Sequence, residues 1–204
     1  MAREYARIRV SIADDEDLED LSPAAQWLYF RVFLPDPTLS SCGVGDWRPK
    51  RLLTKARDID LDYVLGAAAE LEERRYALFD TDTDEYLVRT YIRNDELLRN
   101  PKMSANVVKS YRAISSKTLR AGVVSEIKRA KADHPEYSAW TAPYVAGDLA
   151  ALLLRPDLDA VGYTNRITNG ISDRKAARNT NRITNRNSDR ITNGIGNRNT
   201  NNSS

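Results

Sequence analysis

Arg57-Asp58-Ile59-Asp60-Leu61-Asp62-Tyr63-Val64-Leu65-Gly66-Ala67-Ala68-Ala69-Glu70-Leu71-Glu72-Glu73-Arg74 is the stretch on which the fold turns. Leu61, Val64, Leu65, Ala68 and Leu71 recur at the spacing of one helix face, which predicts a helix over residues 61–74. Residues 57–60 are too polar and too few for anything but a tight connection. Just before them, Asp46 can cap a helix with Pro49 in its early turn, running to about Ala56. Two helices across so short a turn have the spacing of a helix-turn-helix.

The flanks extend this reading. Ser22-Pro23 is a helix start, and residues 23–34 contain only Gln26 and Arg31 as strongly polar side chains. That predicts a largely buried helix, ended by Pro35 and Pro37. Cys42-Gly43-Val44-Gly45 is a brief extended link. Earlier still, Ile8, Val10 and Ile12 alternate with Arg7, Arg9 and Ser11, the pattern of a short half-buried strand over residues 5–12. Residues 14–20 form an acidic turn or short helix. On the far side, residues 76–80 and 85–91 are strand-like, and Thr81-Asp82-Thr83-Asp84 is a polar turn between them. Helix, short strand, helix, tight turn, helix and β-hairpin is the order of a winged helix-turn-helix. The expected fold is mainly α with a small β-wing over residues 1–96.

Beyond residue 96 the pattern is helical. Ser104 can cap a helix bearing Val107, Val108, Tyr111 and Ile114, and Ser116 another bearing Leu119, Val123, Ile127 and Ala130. Asp133-His134-Pro135 stops the second. Trp140, Tyr144, Val145, Leu149, Leu152 and Leu153 form a short apolar closing segment, so residues 97–162 are expected as a basic helical extension. From Tyr163 onward there is no leucine or tryptophan, and Arg-Ile-Thr-Asn recurs at 166 (with Ile167), 182 and 190. Residues 163–204 are expected to be a disordered, Asn/Arg/Thr-rich tail, because they carry too little apolar surface to offset the entropy of ordering.

The 204 residues are 41% apolar with a net charge of +2. No run of apolar residues approaches the roughly 18 needed to span a bilayer, and no apolar leader opens the chain, so a cytoplasmic protein off the membrane is expected. The single Cys42 and single His134 exclude an internal disulfide and a Cys/His zinc cluster. The phosphate-loop, nucleophile-elbow and HExxH patterns are absent, so the sequence points to no enzyme and no cofactor. Cys42 reads as a packing residue and His134 as a helix-end residue.

Charge is sorted into blocks. Lys+Arg against Asp+Glu count 13 and 21 over residues 1–96, 9 and 1 over 97–132, 1 and 5 over 133–162, and 8 and 2 over 163–204. Separated basic blocks in an acidic chain point to a polyanion, and duplex DNA is the expected partner. Within the first domain the candidates are Arg48, Lys50, Arg51, Lys55 and Arg57; on one continuous helix, Arg48, Arg51 and Lys55 share a face. Arg89 and Arg93 leave the wing on one side of its last strand by the period of two, although Arg89 can equally pair with Asp80 or Asp82. In the second block the candidates are Arg99, Lys102, Lys109, Arg112, Lys117 and Arg120. The helix at 61–74 carries Asp62, Glu70, Glu72 and Glu73 and is a poor phosphate binder, which leaves open whether it enters a groove or only packs.

Leu21-Ser22-Pro23-Ala24-Ala25-Gln26-Trp27-Leu28-Tyr29, Cys42-Gly43-Val44, Ala69-Glu70-Leu71-Glu72 and Leu87-Val88-Arg89-Thr90-Tyr91-Ile92-Arg93-Asn94-Asp95 resemble winged-helix DNA-binding proteins of actinobacterial phages and their hosts. These are similar to the N-terminal domains of phage replication initiators and helicase-loader organisers. The resemblance spans roughly residues 5–132. It departs after Asn94-Asp95, where Glu96-Leu97-Leu98-Arg99 replaces the usual glycine and lysine. It implies DNA binding in replication initiation, with a helicase or primase as partner. The alternatives are a transcription regulator on the same fold and a non-enzymatic protein-interaction adaptor.

Overall fold

A computed structural model describes residues 6, 8 and 14–172. The strand expected at residues 5–12 and the tail beyond Ser172 lie outside the described residues, apart from isolated positions. Helix α1 (Glu16–Glu19) is capped by Asp15, whose carboxylate accepts from the Leu18 amide at 3.2 Å. Helix α2 (Pro23–Gln26) starts as its Ser-Pro signal requires, with the Ser22 hydroxyl accepting from the Ala25 amide. The helix then widens into a π-helix, Trp27–Phe33, closed by the Leu34 amide on the Tyr29 carbonyl. This winding leaves Leu28, Tyr29, Val32 and Phe33 all buried.

Strand β1 (Val44–Asp46), helices α3 (Pro49–Leu52) and α4 (Leu61–Glu73), and strands β2 (Ala77–Asp80) and β3 (Glu85–Val88) follow. The strands form one antiparallel sheet in the order β1-β3-β2. Because side chains alternate across a sheet, the Phe79–Tyr86 pair faces one way and the neighbouring Leu78–Leu87 pair the other. Phe33 stacks on Tyr86 with ring centroids 4.1 Å apart, and Trp47 meets Phe79 edge-on at 4.6 Å. Gly43 lets β1 begin there: its φ is +76°, and a Cβ would lie 2.8 Å from the Val88 carbonyl oxygen.

The chain continues through α5 (Tyr91–Asn94), α6 (Pro101–Ala113), α7 (Lys117–Asp133), a 3-10 turn (Ser138–Trp140), α8 (Ala146–Leu153) and α9 (Leu158–Val161). Helix α7 lies on the leucine face of the sheet. A Cβ on its Gly122 would stand 2.8 Å from Leu87 Cδ2, so the missing side chain permits close approach. Leu119, Val123 and Ile127 are fully buried, each stabilising the fold by about 1.5–3 kcal/mol. The hairpin's acids anchor the start of α7: Glu85 accepts the Ser115 and Ser116 amides, and Asp80 accepts the Ser116 hydroxyl. Carboxylates at a helix N-terminus complement its dipole.

Several expectations meet a different local structure. Helix α3 ends at Leu52 rather than near Ala56, so the connection to α4 runs over residues 53–60, with Asp58 at φ +60°. Strand β3 ends at Val88, where its amide bonds to the Gly43 carbonyl; Tyr91 lies in α5. Helix α6 starts at Asn100-Pro101, and Ser104 is buried inside it. Ser116 caps α7 as expected. In the helical extension over residues 97–162, α7 packs against β2, β3, α5, α8 and α9, within one compact unit that reaches Ile167. Residues 163–167, expected as the start of a disordered tail, are instead held in place. Buried Glu72, near the end of α4, accepts the Tyr163 hydroxyl and the Arg166 and Ile167 amides, and Ile167 is buried. One distant carboxylate supplies the order that local composition does not.

Candidate nucleic-acid interface

Lys50, Arg51, Lys55 and Arg57 are exposed, and none reaches a carboxylate among the described residues. Arg48 does so, pairing with Asp46 at 3.1 Å on the surface. Since α3 stops at Leu52, Arg48, Arg51 and Lys55 share no continuous helix face. They nevertheless line one groove of about 270 Å³, formed against the end of the π-helix and the Pro35–Pro37 turn. Arg31 lines it as well. Its two acids are outnumbered: Asp36 accepts the Tyr86 hydroxyl and the Thr38 amide and Asp46 holds Arg48, against Arg31, Arg48, Arg51 and Lys55 in the same lining. Arg31, Arg51 and Lys55 thus present positive charge along a concave surface.

Arg89 and Arg93 do not face outward. Arg89 Nε donates to Glu126 Oε1 at 2.9 Å and Arg93 Nε to Glu126 Oε2 at 2.7 Å. Arg129 joins them at 3.3 Å, and Arg93 also approaches Asp133 at 3.7 Å. Glu126 has no exposed surface, and the Arg89 side chain is 13% exposed. A carboxylate taken from water into the core needs donors in place of water, and for Glu126 these arginines supply them. Both Nε groups are thus committed to Glu126 rather than to one outward side of the wing. The carboxylate that Arg89 meets is neither Asp80 nor Asp82; Asp80 is spent on Ser116.

The rest of the second block divides. Arg99 pairs with Glu96 at 3.1 Å, Arg112 with Asp148 at 2.9 Å, and Lys128 with Asp157 at 2.7 Å. The Lys128 hydrogen bond holds the Asp157 carboxyl below its ordinary value. Lys131 sits 4.8 Å over the Trp140 ring. Lys102, Lys109 and Lys117 are exposed and Arg120 half-buried, all four without an ion pair among the described residues.

Helix α4 carries no cation along its length. Its exposed residues are Asp62, Tyr63, Gly66 and Glu73. Glu70 accepts the Ser22 amide at 2.7 Å and its hydroxyl, while Glu72 is buried. Cys42 is buried, its thiol pushed up by desolvation and directed at the Val107 carbonyl, the setting of a packing residue. His134 caps α7 and stacks on Tyr137. Tyr111 is in the core.

Two cations that the residue patterns do not single out matter in space. Arg31 is a lone charge in an apolar helix, a signal visible in the sequence. Arg129 is marked only by its position three residues after Glu126. Comparison with protein-family models, curated proteins and solved structures returns no match to this chain.

Proposed function

We propose that this protein binds duplex DNA through the strip formed by Arg31 and residues 48–57, on a winged-helix framework. The carrying observation is the groove lined by Arg31, Arg51 and Lys55, whose two acids are outnumbered by its cations. Cations without an intramolecular ion pair can meet phosphates and release their counterions with no pair to break first. The strand order β1-β3-β2, with α3 and α4 between β1 and β2, supports the winged-helix reading. The acidic outer face of α4 moves the contact away from the helix that a helix-turn-helix protein inserts in the major groove. Lys102, Lys109, Lys117 and Arg120 supply further phosphate contacts. Replication initiation, with a helicase or primase as partner, rests on the sequence resemblance.

The test is fluorescence anisotropy of the full chain on two unrelated duplexes against salt. Arg51→Glu with Lys55→Glu should weaken both by about tenfold or more and lower the salt slope by about two units. Unchanged affinity would remove this face from the interface. A palindrome preference confined to a dimer would favour the transcription-regulator reading.

A further inference from the structure

A second cavity, of about 350 Å³, shares no residue with the groove. Three arginines from distant parts of the chain meet on its wall: Arg75 just after α4, Arg89 just after β3, and Arg129 on α7. Ser125, Asp159 and Tyr163 complete its polar lining. The hydroxyls there are already used. Ser125 donates to the Ala121 carbonyl and accepts the Leu158 amide, and the Tyr163 hydroxyl is held by Glu72.

The guanidiniums are not used up. Each carries five N–H donors. Arg75 donates Nη1 to Asn165 at 3.0 Å, Arg89 donates Nε to Glu126, and Arg129 donates Nη1 to Glu126. Arg75 is also braced 4.9 Å over the Tyr163 ring. The carboxylates facing this set are Asp159 on the wall and Glu126 behind it, and Glu126 is shared with Arg93. Three oriented planar forks with an excess of positive charge match the oxygens of a phosphoryl group. The volume lies at the lower end of small-molecule sites and exceeds what a bare ion fills.

We propose that this cavity binds a phosphomonoester of about mononucleotide size, its dianion held by Arg75, Arg89 and Arg129. The inference stands apart from the DNA-binding strip. The same group occurs on a free mononucleotide and at a 5′-phosphorylated strand end.

Calorimetric titration of the full chain tests it, with AMP, adenosine, inorganic phosphate, and a short single strand carrying either a 5′-phosphate or a 5′-hydroxyl. AMP should bind with a Kd below about 1 mM and adenosine should not bind. Arg129→Gln leaves Arg89 and Arg93 on Glu126 and should raise the Kd about tenfold, as Arg75→Gln should. Lys55→Glu should leave it unchanged. If the 5′-phosphate tightens strand binding by an amount that Arg129→Gln abolishes, the ligand is a strand end; if the two strands bind alike while AMP binds, it is the free mononucleotide. No binding of AMP or phosphate up to about 10 mM, or AMP binding unaltered in both glutamine variants, overturns the proposal.

Discussion

The cations of residues 48–57 and those around Glu126 are the same residue types with opposite fates. Arg51 and Lys55 stand exposed beside acids that have other partners. Arg89, Arg93 and Arg129 converge on a carboxylate with no exposed surface. The difference is one of solvation. A surface cation is hydrated and loses little by waiting for an external anion, whereas a buried carboxylate must be solvated by the protein itself. A count of charge along the chain does not separate the two; the position of one glutamate does.

Removing the buried charge should have the largest effect. Glu126→Ala leaves three guanidiniums crowded without their common acceptor and should cost about 3–5 kcal/mol in urea unfolding. A loss below about 1 kcal/mol would mean that the cluster is solvated from outside and differs little from the strip.

The converse experiment comes next in size. Arg51→Glu with Lys55→Glu should change stability by no more than about 0.5 kcal/mol. The same double variant carries the tenfold or greater loss of DNA affinity described above. A destabilisation as large as that of Glu126→Ala would erase the distinction between the two groups.

Glu72 asks whether burial or cation pairing is decisive. It is as buried as Glu126, yet its partners are a phenol and two backbone amides. Tyr163→Phe removes one neutral donor and should cost about 1 kcal/mol near neutral pH. Burial, followed by the hydrogen bond to Glu72, pushes the Tyr163 hydroxyl above its ordinary value of 10.0. The folded state therefore holds the proton more tightly than the unfolded one. The associated stability is complete below pH 10 and is lost as pH rises beyond it, so the gap between wild type and Tyr163→Phe should narrow above about pH 10. A gap that widens there would reverse the sign of this coupling.

The smallest effect belongs to the intermediate case. Arg48 is paired, but both partners are about half exposed. Arg48→Ala should lower stability by no more than about 0.5 kcal/mol, measured by the urea midpoint. A larger loss would place Arg48 with the Glu126 cluster.

Much of the architecture was legible because it rests on local chemistry. Ser22-Pro23 and Ser116 start helices through their own hydroxyls, and the apolar spacing of residues 61–71 gives α4 almost to the residue. The hairpin at 77–88 follows from two apolar runs around a polar turn. Boundaries slipped where turns competed: α3 stops at Leu52 ahead of a turn-rich connection, and β3 stops at Val88 because the chain turns into α5 by Tyr91. The strip at 48–57 was legible as a density of cations, though the helix face invoked for it does not exist.

Propensity, capping and periodicity act within a few residues, so the residue pattern was enough for the longer helices, the hairpin and the blocks of positive charge, but not for short elements such as α5 and α9. Only the tertiary structure decided which charges remain available. Arg89 and Glu126 are 37 positions apart and Glu72 and Ile167 are 95 apart. No local pattern encodes such meetings. The first arises because α7 crosses the leucine face of the sheet and carries Glu126 into the core, where the cost of an unsolvated carboxylate draws in arginines that would otherwise have stood in water; the second arises because the chain after α9 returns to the end of α4.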